Sequence, residues 1–304
     1  MADVVKKEIA GIPDEEHLAA GHSACIGCGE AIAIRHVLKA AGKDTIVIQA
    51  TGCPEVFTTL YPYTSWNVPW IHVAFENAAA VASGVREGLN QQGKNKTNVV
   101  AFAGDGGTFD IGFQALSGML ERGHKVLYVC TDNGAYENTG VQRSSATPKF
   151  AWTTTSPVGK KVHGKTEWKK PMPMIVAAHG IPYVATACLS DLNDLIAKVR
   201  KALSIDGPSY IQILCPCIPG WKCKSEKTIE YSKLAVQTKI SPLYEIENGL
   251  MKLKDVPNPL PVQDFLKGQG RFKHLNNNEI KEIQIHIDEK FDRLKKLESS
   301  KIIL

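Results

Sequence analysis

The chain has 304 residues, 43% of them hydrophobic and 22% charged, with a formal net charge of +5. That length buries a full core in one large domain or two ordinary ones, and the composition excludes a disordered or fibrous chain. No apolar run approaches the ~20 residues of a membrane helix, and the modest, dispersed charge argues against a nucleic-acid partner.

The predicted elements alternate along the chain. "EAIAIRHVLKAAGK" (30–43) has helical apolar spacing, and "DTIVIQATG" (44–52) reads as a buried strand ending in a glycine loop. "WIHVAF" (70–75) reads as a second short buried strand, and "ENAAAVASGVREGLNQQ" (76–92) as a helix with a small-residue inner side. "TNVVAFAG" (97–104) and "KVLYVCTDN" (125–133) are further apolar strands. Between them "TFDIGFQALSGMLERG" is expected to form one helix of about four turns, with Ile111, Ala115, Leu116, Met119 and Leu120 on one face. A helix near "PMIVAAHG", a strand "PYVATACL", a helix "DLNDLIAKVRKAL" capped by Ser190 or Asp191, and a strand "SYIQILC" follow. Strand–helix–strand units of this length imply parallel strands with right-handed crossovers. The expected fold class is therefore α/β, a doubly wound and mostly parallel sheet, with ligands at the carboxyl ends of its strands.

Two stretches break the rhythm. Residues 134–170 are a long Thr/Ser/Lys-rich loop, and loops of that length are usually functional. Residues 224–304 form an extension to the 1–223 domain: a hairpin at "YEIENGLMKL", where Asn-Gly favours a tight turn, then a terminal helix whose "DEKFDRLKKLESSK" reads as a solvated face.

The segment 98–140 carries the chemistry. A buried strand delivers Gly104-Asp105-Gly106-Gly107, where glycines admit a ligand close to the backbone and the following helix start favours an anion. The next strand ends at Asp132-Asn133. A hard cation such as Mg²⁺ needs oxygen ligands and shares them with phosphates. Asp105, Asn133 and a carbonyl near Ala135 suit that task, and Asn138 and Thr139 suit phosphate oxygens. The plainer alternative is a helix cap at Asp105 and a turn at Asn133.

Eight cysteines stand at 25, 28, 53, 130, 188, 215, 217 and 223. Cys130 and Cys188 lie in apolar runs and read as core. The opening "MADVVKKEIAGIPDEEH" lacks the pattern of a secretion signal, so the expectation is a cytoplasmic chain without a disulfide framework. The other cysteines sit beside Gly or Pro. Cys25 and Cys28 as a C-x₂-C pair, Cys53 alone, and a distant thiol from "LCPCIPGW" suit a [4Fe–4S] cluster. By spacing alone a zinc site or a redox thiol pair stays open.

The sequence then resembles a family. GDG followed after one helix and one strand by Asn is similar to the motif of thiamine-diphosphate enzymes. "ATGCPEV", "YPYTSWNVPWIHVAFENAAAVASGV", "GDGGTFDIGFQALSGMLERGH", "DNGAYENTGVQRSSATP" and "WTTTSPVGK" resemble the β subunit of archaeal-type pyruvate:ferredoxin oxidoreductases and their 2-oxoacid relatives, from about His22 to about Gly249. Gly134 stands where many thiamine enzymes carry a second Asn, a departure typical of the ferredoxin-linked branch.

The resemblance implies thiamine diphosphate held through Mg²⁺ on Asp105, Asn133 and the Ala135 carbonyl, with Gly104, Gly106, Gly107, Asn138 and Thr139 around it. It implies a [4Fe–4S] cluster on Cys25, Cys28, Cys53 and Cys217, since Cys217-Ile218-Pro219-Gly220-Trp221 matches the family string. Cys215 and Cys223 are the alternatives for the fourth ligand. It further implies α, γ and δ partner subunits in a heterotetramer or a dimer of one, with ferredoxin, coenzyme A and a 2-oxoacid as reactants. The glutamate that activates the cofactor is expected on a partner; Glu55 and Glu76 read as ion-pair or hydrogen-bonding residues. Tyr61, Tyr63, Trp66 and Trp70 are expected either at the subunit interface or in the core. Two rivals are a non-redox thiamine decarboxylase with structural zinc and an electron-transfer subunit holding only a cluster.

Overall fold

Continuous apolar runs, rather than alternating ones, mark strands covered by helices on both faces. In the computed structural model, which describes residues 8–301, those runs form the middle of one sheet. A short hairpin, β1 (Glu8–Ile9) and β2 (Ile12–Pro13), precedes α1 (Gly29–Ala41), β3 (Thr45–Ala50), α2 (Cys53–Thr58), β4 (Trp70–Val73) and α3 (Ala78–Gln91). Then come β5 (Asn98–Gly104), a π-helical turn (Gly107–Ile111), α4 (Phe113–Glu121) and β6 (Leu127–Asp132). After the long loop follow α5 (Met172–Ala177), β7 (Tyr183–Cys188), α6 (Leu192–Ser204), β8 (Ser209–Leu214) and α7 (Ile218–Trp221). The chain continues through α8 (Thr228–Gln237), β9 (Tyr244–Glu247), β10 (Leu250–Leu253), α9 (Val262–Leu266) and α10 (Asn277–Ser300).

Eight of the described strands make one sheet in the order β10-β9-β7-β8-β6-β5-β3-β4. Strands β3 to β8 pair in parallel, and the β9–β10 hairpin adds antiparallel to β7. From β3 the chain runs outward to β4, then crosses back to β5 on the other side. That reversal is the kind of switch point where open sheets bind ligands. Separate apolar cores fill the two faces of the sheet. A third, around Trp221, Tyr231, Phe265 and Phe272, joins α7 to the helices of the C-terminal extension.

Local signals explain many boundaries. Asp191 caps α6 by accepting from the Asp194 N–H at 3.1 Å. Asn276 and Glu279 form a reciprocal capping box at α10, which satisfies N–H groups a helix start leaves unpaired. Asn248 and Gly249 both take positive φ, 48° and 78°, in the β9–β10 turn. Cys130 and Cys188 lie in the core, as expected.

Three expectations need correction. The segment 108–123 is not one continuous helix: the π-helical turn shifts the phase before α4, so Ile111 is 53% exposed while Leu116, Met119 and Leu120 stay buried. Strand β4 is not a buried strand; it is the sheet edge, and Ile71 and His72 are exposed. The extension holds α8 and α9 besides the expected hairpin and terminal helix.

Phe291 of α10 is 1% exposed and packs into the core on one face of the sheet, with Lys239 and Lys295 against its ring. Phe291→Ala should cost about 3–5 kcal/mol of folding stability, measured by denaturant unfolding; a loss below about 1 kcal/mol would show that α10 does not share that core.

Candidate cofactor site

Four neighbouring strands, β8-β6-β5-β3, end at one edge, and each delivers a candidate residue there. Cys53 opens α2 after β3, Asp105 follows β5, Asn133 follows β6, and Cys215 and Cys217 follow β8. Register locks the edge: Gly104 lies beside Thr131, and Asp132 beside Leu214.

Asp105 is fully buried. Its Oδ1 accepts the Asn133 and Gly134 N–H groups at 3.2 and 3.1 Å, and its Oδ2 accepts the Ser144 hydroxyl at 2.5 Å. Burial first, and the neighbouring Asp132 carboxylate second, hold the Asp105 carboxyl well above its usual range. A divalent cation would reverse that balance, because it favours the ionised form. The Asn133 Oδ1 accepts from the Ala135 N–H at 3.3 Å, and its carbonyl accepts the Trp221 indole N–H at 2.7 Å. A cleft of about 130 Å³ lies beside Gly104, Gly106, Asn133, Ala135, Asn138 and Thr139, and Glu30 and Cys53 line it too. A Cβ on Gly106 would stand 2.3 Å from the Tyr136 ring, so only glycine fits there. Asn138 and Thr139 are exposed at the cleft mouth, where the Thr139 hydroxyl bonds Gln142.

The cysteine segments come together from distant parts of the chain. Gly29 packs on the Cys215–Pro216 backbone, where a Cβ would meet three main-chain atoms at 2.8 Å, and its N–H donates to the Pro216 carbonyl at 3.2 Å. The Thr228 hydroxyl clamps the Gly27 carbonyl at 2.6 Å. Cys25 is exposed, whereas Cys28, Cys53 and Cys217 are partly buried. The Cys215 thiol is turned into the core and contacts the Ile213 carbonyl at 3.4 Å. Cys223 follows Lys222, which takes a left-handed φ of 53°, and packs with the third core.

Burial pushes the Cys28 thiol up to about 12, with Glu30 adding to it, and raises Cys53 and Cys217 further. Thiols so disfavoured as anions need a strong local cation to act as thiolate ligands, which iron supplies. Among the described residues no three His, Cys, Asp or Glu side chains are arranged around a single metal ion. A four-iron cluster takes one thiolate per iron and so calls for spaced thiols instead.

Two carboxylates had no role in the sequence reading. Glu30, two residues after Cys28, is buried; it accepts the Thr131 hydroxyl at 2.7 Å and is bonded by Asn133 and Cys53. Glu137, inside the "AYENTG" loop, lies against Cys217, and its Oε2 is buried without a partner. Burial pushes each carboxyl up to about 7. The only sequence signal was a glutamate embedded in glycine-rich or apolar surroundings. Glu55 accepts a hydrogen bond from Thr59 at 3.2 Å, as expected. Glu76 is exposed and makes no side-chain hydrogen bond or ion pair among the described residues, contrary to expectation. The aromatic quartet divides: Trp66 is buried, stacks on Trp70 and donates to Thr58, whereas Tyr61 and Tyr63 are 97% and 79% exposed.

A parallel sheet with an acidic glycine turn and a paired Asn at its carboxyl edge defines a diphosphate-cofactor protein, and residues 50–213 match the C-terminal TPP-binding domain of thiamine pyrophosphate enzymes. The chain is 58% identical to pyruvate synthase subunit PorB of Methanocaldococcus jannaschii, over 91% of this chain and 96% of that one. It is 49% identical to PorB of Thermotoga maritima, covering 96% and 93%. It is 46% identical to ketoisovalerate oxidoreductase subunit VorB of Pyrococcus furiosus, covering 96% of each. The chain therefore belongs to the PorB/VorB family, the β subunits of 2-oxoacid:ferredoxin oxidoreductases. A 2-oxoglutarate:ferredoxin oxidoreductase from Magnetococcus marinus shares the fold, with a TM-score of 0.59 at 18% identity over 88% of this chain and 94% of that one.

Because Gly29 lies against backbone, Gly29→Ala must push the Cys28 and Cys215–Cys217 segments apart. The expected cost is about 1–3 kcal/mol of stability, read by denaturant unfolding; a change under about 0.5 kcal/mol would contradict this packing.

Proposed function

We propose that the chain is the thiamine-diphosphate-binding subunit of a pyruvate:ferredoxin oxidoreductase, acting in either direction. In the oxidative direction a 2-oxoacid and coenzyme A give acyl-CoA and CO₂, and two electrons pass to ferredoxin. The observation that carries this reading is the arrival of Asp105, Asn133, Cys53 and Cys217 at one sheet edge, with the Cys25–Cys28 loop packed on it.

Thiamine diphosphate supplies the carbanion chemistry of decarboxylation, and a [4Fe–4S] cluster takes electrons singly. Asp105, Asn133 and the Ala135 carbonyl hold Mg²⁺ on the diphosphate, while Gly104, Gly106 and Gly107 let the backbone approach it. Asn138 and Thr139 meet phosphate oxygens at the cleft mouth. Cys25, Cys28, Cys53 and Cys217 are the cluster ligands; Cys215, turned into the core, is a spectator.

The glutamate that activates the cofactor comes from a partner subunit, in an assembly with α, γ and δ chains. The exposed apolar side chains Ile26, Leu60, Tyr61 and Tyr63 support such docking, since the first lies in the Cys25–Cys28 loop and the others just after α2. Among the described residues no helix is long and apolar enough to cross a membrane, and a cytoplasmic location is part of the proposal. The PorB relatives, named as pyruvate synthase subunits, make pyruvate the first reading, and the VorB relative, named as a ketoisovalerate oxidoreductase subunit, makes 2-oxoisovalerate the second.

The test is anaerobic purification of the complex and assay of ferredoxin or viologen reduction with pyruvate, 2-oxoisovalerate, 2-oxoglutarate and oxalate, each with coenzyme A. The highest kcat/KM is expected with pyruvate, and turnover by this chain alone would contradict the partner requirement. Cys217→Ser should remove the electron paramagnetic resonance signal of the cluster on this chain, whereas Cys215→Ser should keep it; the opposite pattern would exchange the two thiols' roles.

A further inference from the structure

Arg271 stands apart from the residues the reaction uses. It belongs to the C-terminal extension, in the short turn Gly270–Phe272, yet it is only 4% exposed. Its guanidinium lies 3.9 Å over the Trp221 ring, its Nε donates to Gln269 at 2.9 Å, and its carbonyl accepts the Trp152 N–H at 2.9 Å. A buried guanidinium this well fixed is a costly device for packing alone. Trp221 in turn donates its indole N–H to the Asn133 carbonyl and its backbone N–H to the Cys217 carbonyl at 2.9 Å. Trp221 thus joins Asn133, through its ring, to Cys217, through its backbone, and Arg271 covers the ring.

The charges around Arg271 are anionic or potentially so. Glu137, Cys217, Cys223 and Asp132 all act on it, and although burial lowers its affinity for a proton to about 10, it stays charged at neutral pH. Asp132 is already matched by Lys169 and by Gln212 at 2.7 Å. Of the two carboxylates among these four, Glu137 is the one without another cationic partner among the described residues. Arg271 is therefore a permanent positive charge in a low-dielectric pocket beside the Cys217 segment, where each charge acts far more strongly than in water.

We propose that Arg271 is a positioning residue that holds the Cys217–Trp221 segment against Asn133 and raises the potential at which the cluster on that segment accepts its electron. The proposal rests on the cluster reading above. Reduction adds one electron and one negative charge to the cluster, and a fixed cation nearby stabilises the reduced form. The cation comes from the extension, so that part of the chain sets how readily electrons leave the cofactor site.

The experiment is a redox titration, followed by electron paramagnetic resonance, of the anaerobically purified complex carrying Arg271→Met or Arg271→Lys. The relevant cluster is the one whose signal Cys217→Ser removes. Arg271→Met should disfavour reduction by tenfold or more, which is about 59 mV for one electron, and Arg271→Lys should recover most of that shift. Equal shifts in both variants, unchanged potentials in both, or loss of iron from both would make Arg271 a packing residue and overturn the proposal. A wild-type complex without iron would be a separate result that defeats the cluster reading itself.

Discussion

The parallel alignment of β3, β5, β6 and β8 is the constraint on which the site depends. Parallel neighbours end at the same edge, so residues far apart in sequence arrive together without any covalent link. Thr131 at the end of β6 meets Glu30 from the start of α1, a pair 101 residues apart in sequence. Trp221, after β8, reaches Asn133 across 88 residues. The sheet is held rigid by apolar burial on both faces, and its loops are free to carry polar groups that would destabilise a core.

Those polar groups are arranged at a cost. Burial raises the Asp105, Glu30 and Glu137 carboxyls, the last two to about 7, and three thiols share their neighbourhood. A protein places anionic ligands so close only where cations repay the repulsion and desolvation. Mg²⁺ at Asp105 and iron at the cysteines are the cations that the donor sets suit: oxygen for the first, sulfur for the second. With both in place, as proposed, Arg271 would add a third positive centre that belongs to the polypeptide.

Much of this was legible in the sequence because it is local. The apolar runs of β3, β5, β6, β7 and β8, the Asn248-Gly249 turn and the Asp191 cap each carry their own signal within a few residues. The Gly104-Asp105-Gly106-Gly107 turn and the cysteine spacing are local too. What escaped was either a phase change or a long-range pairing. The π-helical turn at Gly107–Ile111 inserts extra residues into a helical period, so Ile111 lost its place on the apolar face. The edge position of β4 depends on which strand stands beside it, which "WIHVAF" alone does not encode. Glu30, Glu137, Ser144 and Arg271 gain their roles from neighbours that only the folded chain supplies.

In the proposed function one group of four irons is held by Cys25, Cys28, Cys53 and Cys217 within reach of the Asp105–Asn133 site. Anomalous diffraction at the iron edge, from crystals of the anaerobic complex, measures that directly. Iron peaks bonded to those four thiols, and none at Cys215 or Cys223, are expected. Zinc in their place, or iron ligated by Cys215 instead of Cys217, would contradict that ligand set.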